Sequence, residues 1–182
     1  MTTDANDFSR RETLRNGLAV TIRSLRPDDR ERIVAAFRQL DRESIYTRFF
    51  SYRTELTEPA LERAMRVDPQ REAALVVTVG SGDDEVIIGS GRYVASGPPG
   101  TERTAEVAFM VEEDYHGLGI AGRLLAHLAD IARGQGIAAL EAEVLAENRA
   151  MLSVFARSGL PMQQRRDGGV MHVTLALLPR AA

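Results

Sequence analysis

Residues 112–128 read EEDYHGLGIAGRLLAHL. Gly117, Gly119 and Gly122 stand at the mouth of a helical pattern, in which Ile120, Leu124, Leu128 and Ile131 fall on one stripe at spacings of four, four and three. Glycine costs about 1 kcal/mol relative to alanine inside a helix. Its use here implies either a sharp turn or the close approach of something to the backbone. The segment before it, TAEVAFMVE (104–112), alternates like a strand. Strand, glycine-rich turn and helix together make a phosphate cradle: the first helical turn has N–H groups without internal partners, and the helix dipole adds partial positive charge. The same arrangement also serves as a plain structural turn. Two nucleotide-binding readings fail on detail. There is no G-x-x-x-x-G-K-S/T, so this is no P-loop. HGLGIAG does not match G-x-G-x-x-G, and the strand before it is not the first of the chain.

Outward from this segment, residues 1–12 read as a disordered tail and 13–178 as one domain. GLAVTIRSL (17–25) reads as a strand, and Pro27, Asp28 and Asp29 open a helix. Segments 42–50 and 57–67 read as two short helices. AALVVTV (73–79) and EVIIGSGRYVA (85–95) form a hairpin about SGDD. The glycine-led helix runs to about Arg133 and ends at GQG. ALEAEVL (139–145) is another strand, and Asn148 caps a helix over 149–158. Two last strands, near 162–166 and 170–177, flank DGG. The order predicts an α/β (α+β) domain built on a single mixed, largely antiparallel sheet flanked by helices.

Composition narrows the function. The chain has 182 residues, is 44% hydrophobic and carries a formal net charge of −3, which disfavours nucleic acid as a partner. There is no cysteine, which excludes disulfides, cysteine-ligated zinc and a cysteine nucleophile. His116, His127 and His172 lack ligand-like spacing, so no metal is expected. The N-terminus lacks a signal-peptide core, and no stretch approaches the roughly 18 apolar residues of a membrane span. These features predict a cytoplasmic protein without a membrane partner. All 23 basic residues are arginine, so the side chains hold no lysine to modify.

YHGLGIAGRLL resembles the acetyl-CoA-binding segment of the GCN5-related N-acetyltransferase (GNAT) superfamily, whose pattern is Gln/Arg-x-x-Gly-x-Gly/Ala. His116, Gly119 and Ala121 occupy its defined positions, with His116 in place of Gln or Arg. ENRAMLSVFARSGL (147–160) is similar to the superfamily's C-terminal segment. ESIYTRFF, VDPQREAALVV and AEVAFMV are similar to the catalytic domain of bacterial Pat-type protein lysine acetyltransferases. The resemblance spans roughly 17–177 and implies the GNAT fold, acetyl-CoA as co-substrate, no metal, and a protein lysine or small amine as acceptor. It leaves open a homodimer, and also a non-catalytic acyl-CoA sensor.

It implies the following roles. The backbone N–H groups of Gly117, Leu118, Gly119, Ile120, Ala121, Gly122 and Arg123 hold the CoA pyrophosphate. The Arg123 side chain either pairs with a phosphate or is solvated. Met110 and Val111 end a bulged strand that splays from 139–145 to admit the pantetheine arm, and backbone groups near them bond the arm and the thioester carbonyl. Asn148 bonds the pantetheine amides, caps its helix, or does both. Glu106, on one face with Ala108 and Met110, is the candidate general base, with partial desolvation expected to raise its pKa. The alternative for Glu106 is an ion pair with Arg92 or Arg103. Phe155 stands where many members have the tyrosine that serves as general acid, and it cannot donate a proton. Ser153 lies on another face of that helix. Tyr46, Phe49 and Phe50 either line an acceptor channel or belong to the core.

Overall fold

The computed structural model describes residues 5–39 and 56–178. Eight strands form one sheet: β1 (Ser9–Thr13), β2 (Ala19–Ser24), β3 (Glu72–Val79), β4 (Val86–Ala95), β5 (Arg103–Val111), β6 (Ile137–Leu145), β7 (Met162–Asp167) and β8 (Val170–Ala176). Their order across the sheet is β1-β2-β3-β4-β5-β6-β8-β7. Among the described residues only β5 and β6 run parallel; every other neighbouring pair is antiparallel. That pair is joined through a helix, as a parallel pair requires. Among the described residues four α-helices flank the sheet: α1 (Arg30–Arg38), α2 (Glu58–Met65), α3 (Ile120–Gly134) and α4 (Arg149–Ala156). None is long and apolar enough to cross a membrane.

The main core lies between the sheet and α3. Leu124, Leu125, Leu128 and Ile131 of that helix are buried against Leu75, Val77, Tyr93, Val107 and Leu140. The helix can lie so close because β4 carries glycine beneath it. A Cβ on Gly91 would meet Leu128 Cδ1 and Phe109 Cδ1 at 3.0 Å. The opposite face of β4 carries Arg92, which donates to the carbonyls of Ala64 and Arg66 at 2.7 Å and so ties the end of α2 to the sheet.

Two features depart from the sequence reading. The tail expected over 1–12 is strand from Ser9 onward, and Ala5 and Phe8 are buried. SRRET is charged and exposed because β1 is an edge strand, so it lacks the alternation that reveals a strand. The helix expected from Pro27 begins as a 3-10 turn over Pro27–Asp29 before α1. The helix expected over 42–50, with Tyr46, Phe49 and Phe50, lies outside the described residues.

Candidate active site

The register of β5 against β6 positions the site. Their pairing runs through Thr104↔Ala139 and Ala105↔Leu140 and stops at Glu106↔Glu141, although β5 continues to Val111 and β6 to Leu145. The strands therefore part beyond Glu106 and leave a wedge. The expected splay is present. The expected bulge is not found near Met110 and Val111: β5 pairs evenly with β4 throughout, and the register irregularity against β6 lies at Arg103/Thr104, at the closed end.

Hydrogen-bond parity shows which backbone groups face the wedge. The Glu112 N–H donates to Ile88 O and the Ser96 N–H to Thr104 O, both at 2.9 Å. Even-numbered residues of β5 thus turn their backbone groups toward β4, and odd-numbered ones toward the opposite edge. The backbone of Met110 is committed to β4, which corrects its expected role. The groups facing the wedge near its mouth belong to Phe109 and Val111. Phe109 was missed because parity depends on pairing, which no residue type encodes. His116 Nε2 donates to the Val111 carbonyl at 2.8 Å, so this departure from the superfamily pattern covers one of the freed groups.

The cradle lies at the open end of the wedge. A 3-10 turn over Glu113–Tyr115 leads to Gly117 and Gly119, at φ +77° and +87°. Gly119 is the N-cap of α3 and supplies no side-chain cap. Its left-handed conformation is one that side-chain-bearing residues rarely adopt. The N–H groups from Gly117 through Gly122 have no partner among the described residues. The Arg123 N–H donates to Gly119 O at 3.1 Å, so the free run ends at Gly122, one residue short of expectation. A Cβ on Gly117 or Gly122 would meet nothing within 4 Å, so the segment is open to its surroundings at these two positions. Leu118 and Ile120 meanwhile turn their side chains to the core. An anionic group fits here: the N–H groups lack partners, the segment is open and the helix end is positive.

The Arg123 side chain is neither free nor aimed at the cradle. It pairs with Glu12 and donates to Thr13 O at 2.8 Å. Asn148 caps α4, its side-chain oxygen accepting the Met151 N–H at 3.1 Å. Its amide N–H₂ has no partner among the described residues, so capping does not consume it. Phe155 is buried and its ring lies 6.2 Å from that of Phe109, so it is a core residue beneath the wedge.

Glu106 sits where β5 and β6 part, on the face opposite α3. It is exposed, so the expected desolvation is absent. The expected arginine partners are engaged elsewhere: Arg92 with Glu72, and Arg103 with the carbonyls of Gln70 and Gln135. Among the described residues Glu106 has no ion pair or hydrogen bond. It lines an open cleft of about 480 Å³ with Glu141, Glu143, Gln163, Arg165, His172 and Thr174. Glu143 meets His172 Nδ1 at 3.3 Å. A further carboxyl, Glu112, stands at the end of β5, where burial and then Asp114 push it above the usual carboxylate range. Its environment is set by the turn that follows, which the sequence did not disclose.

Residues 37–160 match the acetyltransferase (GNAT) family. The chain belongs to the GNAT acetyltransferase family. It is 32% identical over 156 residues to the acetyltransferase PA5475 of Pseudomonas aeruginosa, covering 86% of this chain and 82% of that one. It is also 32% identical over 166 residues to the acetyltransferase Pat of Mycolicibacterium smegmatis, covering 91% of this chain but spanning only 48% of that protein. The crystal structure of the GNAT domain of S. lividans PAT superimposes with a TM-score of 0.82 at 32% identity, covering 92% of this chain and 96% of that one. The GNAT fold expected from the glycine segment is the fold observed, and this GNAT chain is an acetyltransferase.

Proposed function

We propose that this GNAT acetyltransferase moves the acetyl group of acetyl-CoA to a primary amine, a protein lysine ε-amine, by direct attack in a ternary complex. The observation that carries the reading is the wedge, with free backbone donors at its open end and an unpaired carboxylate at its closed end. Five residue steps of β5, roughly 17 Å of extended chain, separate Glu106 from Val111. Acetyl-CoA supplies the acetyl group, and CoA departs as the thiol.

The remaining work falls to the chain. The cradle from Gly117 to Gly122 binds the diphosphate, and the Asn148 amide and the Val111 N–H align the arm. The Phe109 N–H stabilises negative charge on the thioester oxygen. Glu106, exposed toward the cleft, takes a proton from the acceptor ammonium directly or through water, and the free amine then attacks. With Phe155 in the core and no cysteine to carry the acetyl group, water supplies the thiolate's proton.

Similarity to Pat and to the PAT domain supports the protein acceptor. A second reading, a small polycationic amine, is favoured by Glu106, Glu141 and Glu143 lining one cleft. CoA release with acetyl-CoA, comparing a lysine-bearing protein such as an acyl-CoA synthetase with a panel of polyamines and monoamines, separates the two. Release with acetyl-lysine on the protein supports the first reading, and release with polyamines only replaces it with the second. Bound acetyl-CoA without release to any acceptor makes the chain a sensor.

A further inference from the structure

The cation that the sequence places at the cradle is neutralised from an unexpected direction. Glu12 of β1 holds both Arg123 and His127, one and two turns into α3. Burial alone would push the Glu12 carboxyl up, but the hydrogen bonds from Arg123 and His127 outweigh it and hold it below the usual range. The Phe8 ring packs on His127 with centroids 4.8 Å apart. The edge hairpin is thus fastened along the first turns of the cradle helix. Its turn is tight: the Leu14 N–H donates to Leu18 O at 2.8 Å and the Gly17 N–H to Leu14 O at 2.9 Å, with Leu14 buried.

This fastening delivers Arg15. Its Nε and Cζ lie 3.6 and 3.8 Å from the point a Cβ on Gly119 would occupy. Arg15 is exposed and has no hydrogen bond or ion pair among the described residues. A guanidinium therefore stands beside the positive end of a helix, next to a run of N–H groups that also lack acceptors. Donors and positive charge converge with no acceptor among them, an arrangement that a multiply charged anion relieves. We infer that Arg15 is the charged arm of the CoA-diphosphate site, and that the β1–β2 hairpin is a wall of that site. The inference rests on the acetyl-CoA reading above. It reverses the roles of the two arginines: Arg123 anchors the hairpin, and Arg15 meets the ligand.

The test is calorimetric binding of CoA and of 3′-dephospho-CoA to the full chain and to Arg15→Gln, Arg15→Lys and Arg11→Gln. Arg11 shares the hairpin, so its variant removes the same charge without approaching Gly119. Arg15→Gln is expected to weaken both ligands by the same factor, roughly tenfold. Arg15→Lys should recover part of the loss, and Arg11→Gln should bind as the parent does. Equal affinity in the parent and Arg15→Gln overturns the inference, as does an equal loss in Arg11→Gln. A loss seen with CoA but not with 3′-dephospho-CoA moves Arg15 to the 3′-phosphate and overturns the diphosphate assignment. A parent chain that binds neither ligand brings down the acetyl-CoA reading itself, a different result from any of these. Matched thermal unfolding midpoints establish that each variant is folded.

Discussion

On the β2–β4 half of the sheet, Asp29 is 0% exposed and accepts two hydrogen bonds of 2.8 Å from Arg23, while Arg32 and the Arg26 N–H use its remaining lone pairs. Arg23 in turn reaches Glu85 at 2.9 Å. On the β5–β7 half, Glu106 is exposed, has Glu141 as its strand neighbour, and has no partner among the described residues. The first carboxylate is spent on structure, binding β2, the 3-10 turn and the β3–β4 hairpin together. The second is kept available. A buried charge persists only when paired and fully hydrogen-bonded, whereas a general base must have room to exchange a proton with its substrate.

The largest expected effects cross this contrast. Glu106→Gln should lower turnover by about 10²–10⁴-fold while acetyl-CoA binding and the unfolding midpoint are retained. Steady-state rates beside calorimetric binding decide it, and unchanged turnover would remove Glu106 from catalysis. Asp29→Ala should do the reverse, costing about 3–5 kcal/mol in denaturant unfolding because Arg23 is left buried without its main partner. Turnover per folded molecule should persist; loss of turnover at full stability would collapse the distinction between the two halves.

Gly119→Asp sharpens the functional side. It puts negative charge and a strained φ at the cradle, and should weaken acetyl-CoA on the order of a hundredfold by isothermal titration. Undiminished affinity would mean the diphosphate binds elsewhere.

The smallest effect concerns acid. For Asp29 burial alone would push the carboxyl up, but the bonds from Arg23 and the Arg26 N–H outweigh it. Glu85 is likewise lowered, the bonds from Arg23 outweighing its burial. Both folded-state pKa values lie below the unfolded ones, so their stabilisation is complete above about pH 5 and is lost as pH falls through the folded values. Thermal midpoints of the parent should fall below about pH 5, and those of Asp29→Ala should fall less. Parallel curves would show that the pair contributes nothing to acid sensitivity.

Much of the fold was legible because its signals are local. The stripe of Ile120, Leu124, Leu128 and Ile131 predicts α3 from helical period alone, and the alternation of TAEVAFMVE predicts β5 and the face on which Glu106 lies. The glycine turn was legible for the same reason, since glycine at a helix mouth has a direct steric meaning, and Gly117 and Gly119 are left-handed there. β1 was not legible, because a charged edge strand has no buried face to betray it. Phe109 was not legible either, because its part follows from the direction its N–H takes, and every residue type but proline carries one.

The sequence thus offered Glu106 and the Gly117–Arg123 segment as candidates, the glycines from their place at a helix mouth and Glu106 mainly from the resemblance of AEVAFMV to Pat-type enzymes. The tertiary structure decided what each has for company. It withheld Arg92 and Arg103 from Glu106, turned Arg123 toward Glu12, and brought Arg15 to Gly119 from 104 positions away in the chain (119 − 15). Those outcomes depend on which strand edges meet and where β5 and β6 stop pairing. Such contacts join distant segments, and no local pattern of residues carries them.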